Sequence, residues 1–189
     1  MTEWAGRALA RAEIAKLAEI DRTESVDGIY YVRQGALVLE REHWDVPDWS
    51  PAEKQRRIAA LQADYDRGCL FFGALDGLVL AGMAVLDPHP LPTGVDRLNL
   101  AGLWVSHAYR GQGVGRALVQ LAVAEAEARG ARAVYVSATP SERTVRFYRS
   151  AGFRLATPVD PGLYEREPED IHLELNLAEN PQLSEEQEP

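Results

Sequence analysis

The chain has 189 residues, of which 46% are hydrophobic and 26% charged, a composition typical of a soluble globular protein with a buried core. Its formal net charge of −9 argues against a nucleic-acid partner, because nucleic-acid binding usually requires a basic face. No apolar run approaches the length of about 20 residues that a membrane span requires, and the N-terminus lacks a signal-peptide pattern. We therefore expect a cytoplasmic protein with no membrane partner, and the acidic charge favours cationic small molecules.

Cysteine and histidine usage narrows the chemistry further. The single cysteine, Cys69, excludes an internal disulfide, and its apolar neighbours predict a buried structural thiol. The four histidines lie far apart without the spacing of metal ligands, so no metal site is predicted. They are His43, His89, His107 and His172.

The first third of the chain predicts short strands around two helices. In chain order we expect a strand at 4–9, a helix carrying Ile14, Leu17 and Ile20 on one face, two strands over 29–42 and a helix over 51–67. The last helix has the clearest boundaries. Ser50 is a typical N-cap, Pro51 suits the first helical position, and Gly68 is a typical stop.

The remainder alternates strands with helices and predicts an α/β fold with a mixed sheet. Asp76-Gly77 is a strong hairpin signal between strands at 70–75 and 78–86. The expected elements that follow are a strand at 97–105, a helix at 114–129, a strand at 133–137, a helix at 141–150, and strands at 153–155 and 171–177. On the helix at 114–129, the predicted buried face comprises Val114, Ala117, Leu118, Leu121, Ala124 and Ala128.

The chain is expected to form one domain over residues 1–177. Residues 178–189 contain two prolines and four glutamates and have little to bury. That composition predicts a disordered acidic tail.

A glycine-rich turn joins the strand at 97–105 to the helix at 114–129. It comprises Arg110, Gly111, Gln112, Gly113, Val114, Gly115 and Arg116. Unpaired N–H groups and the positive dipole end at a helix N-terminus attract phosphate oxygens, and glycines let a pyrophosphate approach the backbone. The two arginines can add charge-assisted hydrogen bonds. The turn therefore predicts an anion site.

Two familiar phosphate motifs do not fit this turn. A P-loop requires Gly-Lys-Ser/Thr, whereas this turn ends Gly115-Arg116-Ala117. A dinucleotide-binding oxidoreductase requires G-x-G-x-x-G and an acid at the end of the next strand, which here ends Ser137-Ala138-Thr139. A plain glycine turn with incidental arginines stays open when the turn is considered alone.

A second segment, over residues 138–153, favours an anion site over a plain glycine turn. It contains Phe147-Tyr148 on a predicted helix that ends at Gly152-Phe153. The turn matches the R/Q-x-x-G-x-G/A signature of the GNAT superfamily of N-acetyltransferases, and the second segment resembles that family's second signature. Together with the strands around them, the two signatures cover about residues 69–177.

The resemblance implies a twisted mixed sheet whose central parallel strands, here at 98–105 and 133–137, splay apart. It assigns Leu103, Trp104 and Val105 to the pantetheine arm of coenzyme A. It assigns the run from Arg110 to Gly115 to the pyrophosphate, with Arg116 nearby. Acetyl-CoA would then be the co-substrate, and its acetyl group would pass directly to an amine in a ternary complex.

Two residues of the second signature have implied roles. Tyr148 matches the family tyrosine that stands near the leaving sulfur, so the resemblance favours a catalytic or positioning role. A core aromatic on an amphipathic helix is the alternative. Ser141 stands where many members carry an asparagine that contacts the cofactor arm. Because Ser141 is also a good helix N-cap, its cofactor contact is left open.

The base that deprotonates the amine is not identified by sequence. Several relatives have a glutamate on the strand before the glycine turn. The corresponding stretch here has no carboxylate, and its one neutral polar residue is Asn99. The candidates are Glu40, Glu42, His43 and Asp45, with a water chain or His107 as further options. Trp44 beside these acids could hold a cationic amine by a cation–π contact.

The acceptor is expected to be a small-molecule or protein amine, with small cationic amines favoured. A non-catalytic acyl-CoA-binding module on the same fold is the alternative, because fold does not fix function. Homodimers are common in the family, and the oligomeric state here is left open.

Overall fold

The computed structural model describes residues 4–93 and 96–178. In chain order its strands are β1 Trp4–Ala8, β2 Glu24–Val26, β3 Ile29–Arg33, β4 Ala36–Glu40, β5 Trp44–Val46, β6 Leu70–Asp76, β7 Val79–Asp87, β8 Arg97–Val105, β9 Ala133–Ala138, β10 Arg154–Leu155 and β11 Ile171–Asn176. The α-helices are α1 Pro51–Asp66, α2 Val114–Ala128, α3 Glu142–Ser150 and α4 Pro161–Arg166, and 3-10 helices span Arg11–Glu19 and His107–Tyr109. From residue 179 onward, the predicted acidic tail lies outside the described residues.

A seven-stranded mixed sheet organises these elements. Its strand order is β1-β6-β7-β8-β9-β11-β10, and β8 and β9 are its parallel neighbours while the other adjacent pairs run antiparallel. Two small antiparallel pairs, β2–β5 and β3–β4, lie outside it. This arrangement confirms the predicted mixed sheet.

The two faces of the sheet bury different helices. On one face, α2 and α3 pack against β8, β9 and β11. On the other face, the 3-10 helix Arg11–Glu19 and α1 pack against β6 and β7, and Cys69 is buried among them as predicted. Side chains along β7 alternate between the two faces of the sheet, so this strand contributes to the core on each face. Ala84 and Leu86 face the α2–α3 side, and Met83 and Val85 face the α1 side.

Two helix predictions need correction. The segment carrying Ile14, Leu17 and Ile20 is a 3-10 helix rather than an α-helix, and a spacing of three matches its three residues per turn. All three side chains are fully buried.

The buried face of α2 was also only partly predicted. It comprises Val114, Leu118, Val119, Ala122, Val123 and Ala126. The predicted Ala124 and Ala128 are exposed, and Ala117 and Leu121 are only half-buried. The helix offers two apolar stripes, and packing selects the one with the larger valines because it buries more apolar surface.

Sequence patterns missed several short elements. The strands β2 and β5 have three residues each and show no periodicity to detect. The helix α4 did have a local signal, because Asp160 caps it by accepting a hydrogen bond from the Leu163 N–H, and Pro161 follows directly.

Candidate functional site

The central parallel strands separate after three paired rungs. The pairs are Arg97↔Ala133, Leu98↔Val134 and Asn99↔Tyr135. Beyond them β8 continues to Val105 and β9 to Ala138 without pairing to each other. A gap therefore opens in the middle of the sheet, as the resemblance predicted.

Backbone alternation determines which peptide groups of β8 face this gap. The Ser106 N–H donates to the Ala81 carbonyl of β7 at 2.9 Å. Because successive residues of a strand direct their peptide groups to opposite edges, those of Leu103 and Val105 point into the gap. Those of Trp104 point to β7, where Trp104 pairs with Met83.

The glycine-rich turn leads from the end of β8 into α2. Gly111 and Gly113 have φ values of +75° and +86°, a region that costs other residues roughly 1–2 kcal/mol. Gly113 is the N-cap and supplies no side chain, so the first-turn N–H groups of α2 receive no side-chain cap. Within residues 4–93 and 96–178, neither Gly111 nor Gln112 donates its backbone N–H to another backbone group. Over this described part of the chain, the turn thus presents several unpaired N–H donors together.

The polar side chains of the turn differ in what they contact. Arg110 is half-buried, and its guanidinium donates to the Val105 carbonyl at 3.1 Å and the Thr23 carbonyl at 2.7 Å. Gln112 donates to the Ala108 carbonyl at 2.7 Å. These two side chains therefore brace the turn, whereas Arg116 is exposed on the first turn of α2.

Close packing joins this turn to α3. A Cβ atom at Gly115 would lie 3.3 Å from Phe147 Cε2 and 3.5 Å from Val105 Cγ2. Glycine here lets α2 approach both the end of β8 and the residue next to Tyr148.

Tyr148 lies in the core between two phenylalanines. It is 4% exposed, with its ring centroid 5.1 Å from that of Phe147 and 5.2 Å from that of Phe153. Side chains of a helix tilt toward its N-terminus, which directs Tyr148 toward the open end of β9. Burial, and secondarily the charge of Asp170, raise the pKa of its phenol, so the hydroxyl keeps its proton at neutral pH.

Ser141 is the N-cap of α3. Its hydroxyl accepts from the Thr144 N–H at 3.3 Å and donates to the Thr144 hydroxyl at 2.9 Å, and the residue is 2% exposed. The capping alternative is therefore confirmed, and contact with a cofactor stays a prediction.

Residues 21–30, which we name the crossing segment, span the mouth of the gap. At one end the His107 N–H donates to the Asp21 carbonyl at 2.8 Å, beside the Arg110–Thr23 contact. At the other end the Glu142 N–H donates to the Gly28 carbonyl at 2.8 Å. A cavity of about 240 Å³ lies between this segment and the start of α3, lined in part by Arg143 and Arg146.

The bases suggested by sequence lie on the exposed β3–β5 region. Glu40 forms an ion pair with Arg33, and Glu42 accepts a hydrogen bond from the Tyr31 hydroxyl at 2.6 Å. His43 contacts Asp27 at 2.6 Å, and that hydrogen bond raises the pKa of its imidazole. Asp45 and Trp44 are exposed on β5.

His107 is also exposed. Its Nδ1 lies 3.0 Å from the Thr23 carbonyl, so the ring is held against the crossing segment.

Sequence reasoning did not single out one acidic residue whose pKa is strongly shifted. Asp170 directly precedes β11, is half-buried, and its pKa is raised to about 6 by burial and by the charges of Glu167 and Glu169. An acid before a strand is common, so only the register of β11 distinguishes this one. Asn99 lies at the last paired rung, and its buried Oδ1 accepts no hydrogen bond from the described residues.

Over residues 4–93 and 96–178, no helix has the length and apolar character of a membrane span. The same ranges hold no group of three or more side chains of the kinds that bind metal ions.

Comparison with known proteins identifies the family. A model of the acetyltransferase (GNAT) family matches residues 38–153, more than half of the chain. No curated protein sequence is significantly similar. Similar solved structures include a nourseothricin acetyltransferase, at 21% identity and a TM-score of 0.68, with 92% of this chain and 98% of that chain covered. A provisionally assigned streptothricin acetyltransferase from Bacillus anthracis strain Ames, in complex with acetyl coenzyme A, has 16% identity, a TM-score of 0.68 and the same coverage.

The PaiA N-acetyltransferase from Thermoplasma acidophilum, in complex with coenzyme A, has 17% identity and a TM-score of 0.59, with 92% of this chain and 99% of that chain covered. At these identities the structural likeness establishes the fold. The splayed strands, the uncapped glycine turn and the family match agree, and the chain belongs to the GNAT family of acetyltransferases.

Proposed function

We propose that this protein transfers an acetyl group from acetyl-CoA to a primary amine, directly and within a ternary complex. The observation that carries the proposal is the separation of β8 from β9 after Asn99, because it leaves main-chain donors and acceptors of β8 without strand partners. Buried peptide groups require partners, and the two amides of pantetheine can supply them along an exposed strand edge.

The residues of the gap fit this co-substrate. The peptide groups of Leu103 and the N–H of Val105 are directed toward the pantetheine side, while the Val105 carbonyl already accepts from Arg110. The unpaired N–H groups of residues 111–116 suit a pyrophosphate, whose charge the dipole of α2 also favours. When bound, acetyl-CoA supplies the thioester and a thiolate leaving group.

Two groups of the chain would act on the reacting atoms. The N–H of Val105 is suited to stabilise the oxyanion that develops on the thioester carbonyl. Tyr148 would donate a hydrogen bond to the leaving sulfur. Its raised pKa keeps the phenol protonated, and full transfer of its proton to a thiolate, whose thiol has a pKa of about 8.5, is uphill, so hydrogen bonding or a concerted relay is its expected role.

A small cationic amine is the favoured acceptor. The net charge of −9 attracts cations, and the stretch from Glu165 to Asp170 holds four carboxylates and one arginine. The fold does not specify the exact amine, since one fold serves many substrates.

The test is a screen of amines with the purified full chain and acetyl-CoA, read by release of free thiol. The panel should include nourseothricin, because a similar structure is a nourseothricin acetyltransferase. The other amines are spermidine, lysine, a peptide with a free N-terminal amine and an arylamine. Thiol release that depends on one amine, with the acetylated amine found by mass spectrometry, supports the proposal. Tight binding of acetyl-CoA with no thiol release from any amine would instead indicate a non-catalytic acyl-CoA-binding module.

A further inference from the structure

Resting on the proposed function, we infer that Arg22 and Arg57 form an anion subsite that binds a carboxylate carried by the acceptor amine. The subsite is built on Trp49, because a guanidinium from each of two separate elements lies over its ring. The Cζ atom of Arg57, on α1, lies 4.4 Å from the ring centroid, and the Cζ atom of Arg22, in the crossing segment, lies 5.2 Å from it. Two positive groups from distant parts of the chain thus converge on one aromatic side chain.

Neither guanidinium has a carboxylate partner within the described part of the chain, and two acids close by in sequence are engaged elsewhere. Asp48 forms an ion pair with Lys54 at 2.7 Å and accepts only the backbone N–H of Arg22, at 3.2 Å. Glu53 accepts from the N–H and the hydroxyl of Ser50 in the cap of α1, at 2.8 Å and 2.7 Å. The protein therefore places the two guanidinium groups together without supplying the negative charge that would balance them.

The cluster offers hydrogen-bond donors and no acceptor. Trp49 is 6% exposed, and its buried indole N–H donates to no acceptor among the described residues. Arg57 is exposed at its end, but packing against the ring partly buries its guanidinium, and this burial, with the charge of Arg22, lowers its pKa. A set of donors whose positive charges repel each other is complementary to an anion. The planar guanidinium fork matches a carboxylate in particular.

The crossing segment fixes this subsite at the end of β8. On one side of Arg22, the Asp21 N–H donates to the Ser106 hydroxyl at 3.0 Å. On the other side, the Thr23 carbonyl accepts from the Arg110 guanidinium at 2.7 Å. Because both neighbours of Arg22 are bonded to the residues that follow β8, Arg22 is held beside the mouth of the gap.

Trp104 connects the subsite to the gap. Its ring centroid lies 6.1 Å from that of Trp49, in an edge-to-face arrangement. The indole folds back over Gly102, where an added Cβ atom would lie 2.4 Å from Trp104 Cη2. Both Gly102 and Trp104 come after Asn99, the last residue of β8 that pairs with β9. The half-buried indole therefore provides an apolar surface between the arginine pair and the separated strands, on which the body of an acceptor can lie.

The face of the sheet assigns the anion to the acceptor rather than to coenzyme A. Trp49 and Trp104 belong to the core that α1 covers, whereas the glycine turn leads into α2 on the opposite face. The cofactor phosphates and the arginine pair are thus on different sides of the sheet. The net charge of −9 still attracts the ammonium end of the acceptor. The class of acceptor that fits both features is an amine that also carries a carboxylate, as amino acids and short peptides do.

The experiment measures how much a carboxylate improves an acceptor. Glycine, glycylglycine, triglycine and lysine are each compared with the corresponding C-terminal amide in the thiol-release assay. For the pair with the highest turnover, we expect kcat/KM of wild type to be about 10–100-fold higher for the acid than for the amide. Arg22→Gln and Arg57→Gln should each lower kcat/KM for the acid by about tenfold or more and leave the amide within about threefold of wild type.

The matched control is Arg56→Gln, which removes the same charge from the adjacent exposed position of α1. It should leave the ratio of acid to amide within about twofold of wild type, because an exposed charge outside the cluster contributes little. Arg57→Lys keeps the positive charge without the planar fork, so it should recover only part of the preference for the acid. The affinity for acetyl-CoA should be unchanged in all four variants.

Calorimetric titration of the same acids and amides, in the presence of coenzyme A, separates this inference from the proposed function. If wild type releases no thiol with any amine, the proposed function fails. An acid that still binds at least about tenfold more tightly than its amide, and loses this advantage in Arg57→Gln, would then support the subsite by itself. Acids and amides that stay within about threefold of each other in both kcat/KM and affinity would overturn the inference.

Two further results would also overturn it. Equal losses in Arg56→Gln and Arg57→Gln would indicate a general effect of charge, and a loss of acetyl-CoA affinity in Arg57→Gln would assign the arginine pair to the cofactor. If Arg57→Gln has a lowered melting temperature, Arg22→Gln decides, because it removes the second guanidinium from a different element. An unchanged preference for the acid in Arg22→Gln would then reject the subsite.

Discussion

The two sides of the gap between β8 and β9 are built in different ways. The cofactor side comes from one continuous stretch, from β8 through the glycine turn and α2 to α3. The mouth of the gap is crossed by residues 21–30, which come from a distant, earlier part of the chain. A site made by neighbouring elements carries its signature in local sequence. A site made by distant loops does not, and such loops tolerate change with the acceptor.

The largest expected effect concerns Tyr148 and its proposed hydrogen bond to the leaving sulfur. Tyr148→Phe should lower kcat by about 10²–10⁴-fold with little change in the affinity for acetyl-CoA, because it removes the hydrogen bond to the sulfur and leaves the packing of the ring intact. Steady-state kinetics and equilibrium binding would measure both quantities.

The matched control is Tyr135→Phe, another buried tyrosine on the opposite face. Its hydroxyl bonds His172 and the Asp160 N–H, so this variant should lose about 1 kcal/mol of stability without a specific loss at the sulfur. A Tyr148→Phe enzyme with wild-type turnover would show that Tyr148 is a core residue only.

The next prediction concerns the cofactor side alone. Gly113→Asp should weaken acetyl-CoA binding by about 100-fold or more, because its carboxylate would repel the pyrophosphate and its side chain would strain a φ of +86°. Isothermal titration calorimetry would measure the dissociation constant.

Gly130→Asp is the corresponding control at the other end of α2. Gly130 has a φ of +77° and open space around it, so the backbone strain is similar while the phosphate site is remote. Equal losses of affinity in both variants would attribute the effect to helix destabilisation rather than to the anion site.

A smaller effect is expected where the cofactor side packs against α3. Gly115→Val should cost about 1–3 kcal/mol, because the new side chain would collide with Phe147 and Val105. Denaturant unfolding would measure the loss, and Arg116→Val, on the exposed side of the same turn, should cost less than about 0.5 kcal/mol. Equal values would mean that α2 and α3 are not closely packed at Gly115.

The smallest effect sharpens the role of Ser141. Ser141→Ala should cost about 1 kcal/mol through loss of the α3 cap and change acetyl-CoA affinity by less than about threefold. Thermal unfolding and binding titration would be compared with Ser141→Asp, which retains a capping oxygen. A large loss of affinity at unchanged stability would instead identify a direct contact between the hydroxyl and the cofactor arm.

Local signals predicted most secondary-structure elements well because each signal depends on nearby residues. Strand alternation, the Asp76-Gly77 hairpin and the Ser50 cap each act within a few positions, and all three elements are present. The glycine turn requires positive φ at Gly111 and Gly113, which the residue type itself indicates. The same local logic could not choose between the two apolar stripes of α2, because that choice depends on which stripe meets the sheet.

The candidate bases near Trp44 were chosen by proximity in sequence, which does not reveal exposure or pairing. Glu42 is exposed and Glu40 is half-buried, and both pair with side chains of β3. Their role as bases stays a prediction. Asp170 gave no local sign of its raised pKa, since its half-burial exists only in the assembled fold.

By itself, the sequence determined the order of the longer strands and helices, the glycine turn at the start of α2 and the family, because periodicity, capping and backbone conformation are encoded within a few residues. The tertiary structure alone decided that β8 and β9 part after Asn99, that residues 21–30 cross the opening, and that burial raises the pKa of Tyr148 and of Asp170. These relations join residues far apart in the chain, and the burial and electrostatic fields that act on them exist only after the sheet has assembled.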